Sequence, residues 1–299
     1  MHTEKVEIVE VSPRDGLQNE PEIIDTATKI ALINRAINCG FHRIEVASFV
    51  NPKRVPQMAD AEAVIAGLDF ANDVTYIGLA LNERGAERAL KTNVHEIGAV
   101  AVASNGFAMA NQGQTSSESA QIACNIVEIA KREGRSAQIT ISTAFGCPFD
   151  GETDPDWVVE IAKICAASKP REIAIADTIG VAAPKQVSDL CTRVKAVIGD
   201  IPLRAHFHNT RNTGIANAWA AFAAGASVLD SSLGGLGGCP FAPNATGNIP
   251  TEDLVYMLNR SGIETGINLE KMIDTGKWLS GVMGRQLPAM LPRAGLFPV

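Results

Sequence analysis

The chain has 299 residues, of which 46% are hydrophobic and only 5% are aromatic, and its formal net charge is −7 at pH 7. This length is enough for one barrel-sized domain or two smaller ones. The negative charge argues against nucleic acid or a membrane surface as a partner, because both prefer basic protein faces.

The chain ends and the hydropathy of the sequence carry no targeting signal. No run approaches the ~18 apolar residues that span a bilayer. The first residues, MHTEKVEIVE, mix charges and lack both the apolar centre of a secretory signal and the arginines of a transit peptide. We therefore expect a cytoplasmic protein.

Short strand-like runs alternate along the chain with segments whose apolar residues follow helical spacing. The predicted strands are 6–12, 43–49, 74–81, 95–103, 137–145, 172–177, 203–208 and 227–232. The main helical segments are 27–40, 117–134, 155–168, 184–199 and 217–226, with Gly40, Gly134, Gly199 and Gly225 at C-cap positions. Eight such units predict an α/β fold, a (β/α)8 TIM barrel. A doubly wound sheet is the alternative, but no G-x-G-x-x-G follows the first strand.

The sequence after about residue 250 exceeds these eight units. The segments 248–262 and 267–284 have helical patterns, and no low-complexity linker precedes them. We therefore predict a single (β/α)8 barrel domain over residues 1–299, with a C-terminal helical extension from about 250 to 299.

The six cysteines are not spaced as C-x-x-C, which argues against a zinc knuckle and a thioredoxin-like motif. Most of them are expected to be reduced and buried. Cys239 differs, because it follows a run with four glycines, namely Gly234, Gly235, Gly237 and Gly238. This glycine density predicts a mobile loop that delivers the thiol. A flexible turn with an incidental cysteine is the alternative.

Polar side chains lie after the first predicted strand and within the second. In (β/α)8 barrels, the catalytic residues lie at the carboxyl ends of the strands. Strand 1 ends in SPRDGLQNE, which supplies Arg14, Asp15, Gln18 and Glu20. In one interpretation the carboxylate is a metal ligand and the arginine beside it binds an anion. In the other, the stretch is a turn with a surface ion pair. Strand 2 carries Glu45 inside an apolar run, where a lone carboxylate is costly. Arg14 or a metal ion would supply its partner.

The seventh strand ends in two histidines, His206 and His208, separated by one residue. Alternate side chains of a strand share a face, so both imidazoles would face one space. Taken alone, the pair is more typical of solvated loop histidines than of a metal site. Asp177 and Thr178 follow the sixth strand at the same edge. With Asp15, the histidines offer one oxygen and two nitrogen donors, which suits Mg²⁺ or Mn²⁺ and also Fe²⁺ or Zn²⁺.

Several long and uncommon stretches extend over nearly the whole chain. They are SPRDGLQNE, EVASFVNPKRVPQMAD, FGCPFDG, ADTIGV, SSLGGLGGCPFAP and TGNIPTEDLVYML. These stretches resemble the 3-hydroxy-3-methylglutaryl-CoA (HMG-CoA) lyase family, part of a wider group of metal-dependent (β/α)8 lyases and synthases. The resemblance implies metal-assisted retro-Claisen cleavage of HMG-CoA to acetyl-CoA and acetoacetate, a reaction of leucine degradation and ketone-body formation.

The resemblance also implies roles for single residues. The ligands that it implies for a divalent metal cation, Mg²⁺ or Mn²⁺, are Asp15, His206, His208 and Asn248. Arg14 and Gln18 are assigned to substrate binding, and Arg14 would stabilise the enolate that forms. Cys239 would be the catalytic thiol, as acid, base or relay, and Glu45 a further catalytic residue.

The chain departs from the family pattern at three positions. Asn209 stands where an aspartate usually follows H-x-H, and an amide there would orient a ligand histidine more weakly. Pro243 and Asn244 replace part of the usual GASGN. These changes leave isohexenylglutaryl-CoA and citramalyl-CoA open as substrates. A related acyl-CoA-condensing synthase and a non-catalytic acyl-CoA-binding barrel are further alternatives.

The expected partner is an acyl-CoA substrate, with no nucleic acid and no membrane. For the CoA phosphates, the basic loop with Lys53 and Arg54 is the one candidate contact, and a charged surface loop without a ligand fits it equally well. The oligomeric state stays open, with a homodimer or a higher homo-oligomer as one arrangement.

Overall fold

Ten strands are present in the computed structural model, which describes residues 4–71, 73–238 and 247–297. They are β1 (Glu7–Glu10), β2 (Arg43–Ser48), β3 (Thr75–Ala80), β4 (Glu96–Val102), β5 (Ser136–Ser142), β6 (Gly146–Cys147), β7 (Gly151–Glu152), β8 (Ile173–Asp177), β9 (Leu203–Phe207) and β10 (Val228–Ser231). Eight of them pair in parallel and close into a barrel in the order β1-β10-β9-β8-β5-β4-β3-β2. The predicted (β/α)8 barrel is confirmed, and all eight predicted strands belong to it.

Helices surround the barrel. They are α1 (Thr26–Cys39), α2 (Ala61–Ala66), α3 (Glu83–Leu90), α4 (Asn105–Gln112), α5 (Ser116–Arg132), α6 (Pro155–Ala167), α7 (Pro184–Ile198), α8 (Gly214–Ala223), α9 (Thr251–Arg260), α10 (Leu269–Val282) and α11 (Leu291–Ala294). Asp25 caps α1 by accepting a hydrogen bond from the Thr28 amide (2.9 Å). Gly40 ends the same helix at φ 104°, as its C-cap position predicts. None of the described helices is long and apolar enough to cross a bilayer.

The structure differs from the sequence-based expectation around the fifth barrel strand. We predict a strand to residue 145, but β5 ends at Ser142, because Thr143 adopts a positive φ of 53°. The chain then forms the antiparallel β6–β7 hairpin before α6 begins. Helix α4, capped by Ser104, is also absent from the predicted elements. The division into one domain with a helical extension from about residue 250 stays a prediction.

The interior of the barrel is crossed by a chain of buried ion pairs. Arg43 donates hydrogen bonds to Glu96 (2.7 Å) and to both oxygens of Glu172 (2.8 and 2.9 Å). Glu172 also accepts from Arg204 Nη1 (2.9 Å), and Arg204 Nε donates to Asp230 (2.5 Å). Each charge therefore has an opposite partner, which offsets the free energy of removing it from water. We call these residues the interior ion-pair chain.

A glycine-rich turn, Leu233–Gly235, follows β10 and is held by two buried carboxylates. Glu252 accepts from the Gly234 amide through both oxygens (3.0 and 2.9 Å), and Glu10 accepts from the Leu233 amide (2.9 Å). Gly234 has φ 70°, and a Cβ there would lie 2.4 Å from Leu287 Cδ1. Close packing and backbone conformation require glycine at Gly234 and Gly235, so glycine density at these two positions does not by itself indicate mobility, and the predicted mobile loop that delivers Cys239 stays a prediction.

Burial sets the ionisation of the same two carboxylates. It raises the pKa of Glu10 to about 7 and that of Glu252 to about 8, against an ordinary value of 4.5. The folded protein therefore holds both protons at pH values where an unfolded chain has released them. Their contribution to stability is present below about pH 4.5 and is lost as the pH rises toward about 8.

Replacement Glu252→Gln tests this linkage, because the amide is neutral at every pH. The thermal unfolding midpoint of the wild type should fall between about pH 5 and about pH 8, and that of the variant should fall less. Differential scanning calorimetry measures both. Glu133→Gln, which removes an exposed carboxylate, should follow the wild type. If the unfolding midpoints of Glu252→Gln and the wild type fell equally over this pH range, the raised pKa of Glu252 would be contradicted.

Candidate active site

Three potential metal ligands meet at the carboxyl end of the barrel. The Nε2 atoms of His206 and His208 each lie 3.8 Å from Asp15 Oδ2. One donor atom of each residue lies within 4.8 Å of the others. Two atoms that bind one ion at about 2.1 Å are separated by at most roughly twice that distance, so the Asp15–histidine separations suit a shared cation.

Strand geometry brings these side chains together. On β9, His206 points into the barrel, whereas Phe207 points outward and packs near Phe145, with ring centroids 6.2 Å apart. His208 follows the strand, and its ring centroid lies 5.2 Å from that of His206. The predicted common face of the two histidines is confirmed. Asp15 arrives from β1 in a single π-helical turn, Ser12–Gly16.

Asn248 lies beside this cluster through an isolated antiparallel bridge to His208. Its Nδ2 donates to Asp15 Oδ2 (2.9 Å) and to the Leu236 carbonyl (3.2 Å). Its Oδ1 is buried and has no hydrogen-bond partner in the described part of the chain. A buried acceptor without a donor is expected where a cation or ligand binds.

The electrostatics of the cluster also fit a cation. Burial opposes ionisation of Asp15, but the charge of Arg14 and the two histidines outweigh it and hold its pKa well below the usual range. Burial and the neighbouring His206 lower the pKa of His208 to about 4. An ionised carboxylate, a neutral imidazole and an unpartnered amide oxygen form a donor set for a divalent cation.

Arg14 joins this cluster to a second carboxylate. Its Nη1 donates to Asp15 (2.5 Å) and its Nη2 to Glu45 (2.8 Å). The arginine partner expected for Glu45 is therefore confirmed. Burial lowers the pKa of Arg14, but the charges of Asp15 and Glu45 outweigh burial and raise it. Arg14 Nε and Glu45 Oε1 are buried and unpartnered within residues 4–71, 73–238 and 247–297.

A cavity of about 160 Å³ is lined by Arg14, Asp15, Glu45, His206 and His208, and Asn248 is not among its lining residues. Gln18 also lines it and accepts a hydrogen bond from Ser48 Oγ (3.0 Å). Further lining residues are Asn19, Asn111, Thr140, Ser142, Thr178, Arg204 and Asp230.

A family model described as HMGL-like matches residues 5–279. The chain belongs to the HMGL-like family. It is 44% identical to the (R)-citramalyl-CoA lyase of Chloroflexus aurantiacus, over 98% of this chain and 95% of that protein. It is 39% identical to the hydroxymethylglutaryl-CoA lyase of Bacillus subtilis, over 96% of each chain.

Solved structures agree with this membership. An HMG-CoA lyase from Acinetobacter baumannii, in complex with coenzyme A and 3-methylmalate, superposes with a TM-score of 0.94. It has 40% identity and covers 100% of this chain and 99% of that one. Hydroxymethylglutaryl-CoA lyase from Pseudomonas aeruginosa gives a TM-score of 0.93 at 38% identity, covering 97% of each chain. The chain is thus an enzyme of the HMG-CoA lyase family.

Some predicted residues of this HMGL-like enzyme lie outside the cavity. Glu20 pairs with Arg285 (2.6 Å). Asp177 accepts from the amides of Val181 and Ala182, both at 2.9 Å, and so caps a turn. Cys239, Pro243 and Asn244 lie outside the described residues.

A carboxylate contacts one of the two histidines at its second ring nitrogen. Asn209 Oδ1 accepts from the Gly214 amide (3.0 Å) at the start of α8, and the expectation about the orientation of a ligand histidine by position 209 stays a prediction. Asp230 Oδ2 lies 3.0 Å from His206 Nδ1. Sequence reasoning missed Asp230, although an acid inside an apolar strand is the signal that selected Glu45.

Replacement His208→Ala tests the metal site. Loss of one donor should lower Mn²⁺ affinity by more than about tenfold, since even outer partners of metal ligands are worth roughly 10–100-fold. Electron paramagnetic resonance of free Mn²⁺ measures binding directly. The exposed His42 supplies the control, and His42→Ala should bind as the wild type does. Unchanged affinity in His208→Ala would exclude His208 as a ligand.

Proposed function

We propose that this enzyme cleaves HMG-CoA to acetyl-CoA and acetoacetate in a reaction that depends on Mg²⁺ or Mn²⁺. The observation on which the proposal rests is the convergence of Asp15, His206 and His208 on one cavity beside Arg14. A non-catalytic acyl-CoA-binding barrel, which is the alternative, would not require this set of metal-binding donors.

The proposed cation is held by Asp15, His206, His208 and Asn248. When bound, it supplies Lewis acidity that lowers the pKa of a nearby hydroxyl group. The chain supplies the ionised Asp15 carboxylate and keeps His208 neutral, so that both present lone pairs. The buried Oδ1 of Asn248 is the acceptor that this role requires.

The reaction moves one proton off the substrate and one onto the product. The tertiary 3-hydroxyl loses its proton, the C2–C3 bond breaks, and C3 becomes the ketone carbon of acetoacetate. The electron pair of the broken bond forms the enolate of acetyl-CoA, and C2 then takes up a proton. We assign these transfers to Cys239 on the resemblance, with Glu45, which lines the cavity, as a second proton acceptor.

Arg14 is suited to stabilise the enolate. Its two terminal nitrogens are held by Asp15 and Glu45, which fixes the plane of the guanidinium. The Arg14 side chain lines the cavity, and its guanidinium is proposed to face the enolate oxygen there. A donor fixed before the reaction stabilises developing charge without reorganisation.

A second cavity of about 630 Å³ shares Gln18, Asn19, Leu81 and Asn111 with the first. We assign it to the CoA arm, because it leads outward from the reacting centre. Arg54 lines it, whereas Lys53 does not. Arg54 is therefore the better candidate of the two for a phosphate contact.

(R)-Citramalyl-CoA is the second candidate substrate, favoured by the relative at 44% identity. It carries its carboxylate directly on the hydroxylated carbon, as in the 3-methylmalate of the A. baumannii complex. Isohexenylglutaryl-CoA is the third candidate ester, and Leu79, Leu81 and Phe107 are apolar residues of the cavity lining that its branch could contact.

Acetyl-CoA release from each ester, with Mg²⁺, with Mn²⁺ and after EDTA, tests the proposal. We expect fast metal-dependent release from HMG-CoA together with acetoacetate. Faster release from (R)-citramalyl-CoA, with pyruvate as the second product, would move the assignment to that ester. Net condensation of acetyl-CoA with a keto acid would identify a synthase, and no turnover of any ester would contradict a lyase.

Replacement Cys239→Ala tests the proposed thiol. Turnover should fall by about 10³-fold, which corresponds to roughly 4 kcal/mol in the barrier, whereas Mn²⁺ binding should remain. Cys191→Ala removes a thiol that is buried in α7 and should leave turnover intact. A rate near that of the wild type in Cys239→Ala would rule out the role given to the thiol.

A further inference from the structure

Asp230 connects a proposed metal ligand to the interior ion-pair chain. One carboxylate oxygen lies 3.0 Å from His206 Nδ1, and the other accepts from Arg204 Nε at 2.5 Å. Arg204 and His206 are two residues apart on β9, so both side chains face the barrel interior. Asp230 stands on the adjacent strand β10, with Val228 paired to Arg204.

Asp230 depends on Arg204 more than Glu172 does. Glu172 accepts from both Arg43 and Arg204, so it keeps a cationic partner if Arg204 is lost. Among the hydrogen bonds and ion pairs of the described residues, Asp230 has one cationic partner besides His206, namely Arg204, and the charge of Arg14 acts on it without such a contact. A buried carboxylate without an opposite charge is strongly disfavoured, so its position depends on this contact.

The contact between Asp230 and His206 determines which ring nitrogen of His206 carries the proton and where its Nε2 lone pair points. A carboxylate at Nδ1 fixes the imidazole tautomer and the tilt of the ring, and it directs the lone pair of Nε2 toward the site. In this structure His206 Nε2 faces Asp15. His208 differs, because its Nδ1 is buried and has no partner among residues placed in the structure.

We propose that Arg204 is a positioning residue of the metal site, which acts by holding Asp230 against His206. The proposal rests on the proposed function only in taking His206 as a metal ligand. Arg204 itself touches neither the metal nor the reacting atoms in this role. Its guanidinium is suited to it, because one planar fork holds Asp230 and Glu172 at the same time.

A merely structural role for Arg204 makes a different prediction. Arg43 is a buried arginine of the same chain, also bonded to Glu172, but it does not contact Asp230. If both arginines only stabilise the barrel, removal of either should lower the stability toward unfolding, and the two variants should have the same metal affinity as the wild type. If Arg204 positions His206, its removal alone should weaken metal binding.

The experiment compares Mn²⁺ binding by Arg204→Gln and Arg43→Gln, measured by electron paramagnetic resonance on folded protein. Arg204→Gln should bind Mn²⁺ roughly 10–100-fold more weakly than the wild type, and Arg43→Gln should bind as the wild type does. Circular dichroism and thermal unfolding without metal establish that each variant is folded. Wild-type affinity in folded Arg204→Gln, or an equal loss in Arg43→Gln, would overturn the proposal.

A double-mutant cycle tests whether Arg204 acts on His206 through Asp230. If Arg204 acts through Asp230, the losses of affinity in Arg204→Gln and Asp230→Asn should not add in the double variant. Additive losses would overturn the route through Asp230. Should Arg204→Gln not fold, Arg204→Lys decides, because lysine keeps the charge but cannot hold both carboxylates in one plane. It should bind Mn²⁺ more weakly than the wild type, and equal binding would overturn the proposal.

The same measurements separate this inference from the proposed function. A wild type that binds no Mn²⁺ would overturn the metal site and the role of Arg204 together. A wild type that binds Mn²⁺ but cleaves none of the three esters would overturn the function alone. The comparison of Arg204→Gln with Arg43→Gln would still decide the role of Arg204.

Discussion

The interior ion-pair chain is the constraint on which the rest of the structure depends. Its charges come from β2, β4, β9, β10 and the residue before β8, and Arg43 on β2 reaches Glu172 from the opposite side of the strand order. A buried charge that loses its partner destabilises a fold by about 3–5 kcal/mol. Barrels with a shifted strand register would leave such charges unpaired. Electrostatics thus supports closure in this register in addition to the apolar contacts between strands and helices.

The site uses this framework at one end only. Asp15 follows β1, His206 lies near the end of β9 with His208 just after it, and Asn248 lies in the segment before α9. The glycine-rich turn places this segment, because the Ser232 amide donates to Ile249 and Asn248 donates to Leu236. Strand β9 and the residue after it therefore carry the proposed nitrogen donors, and turns carry the proposed oxygen donors. This division resembles the usual arrangement of barrel enzymes, in which loops vary on a fixed scaffold.

Periodicity predicted the parts of the molecule that depend on local sequence. Alternation along 203–208 placed both histidines on one face, and the strand-end rule brought Asp15 to them. Pairing across the barrel was not accessible in this way, because Asp230 meets Arg204 only through the register of β9 and β10. Glycine density could not distinguish a mobile loop from a turn that has no space for a side chain at Gly234. Asn248 came from the resemblance, since one isolated bridge leaves no periodic signal.

The unequal surroundings of the two histidines have a consequence for coordination chemistry. His206 is backed by a carboxylate, whereas His208 has no such support at Nδ1. A carboxylate behind an imidazole raises its basicity, so His206 is the stronger σ-donor of the pair. If a cation were held by both rings, His206 would be the more strongly bound and less exchangeable nitrogen donor, and His208 the weaker one, so the two imidazoles would not be interchangeable.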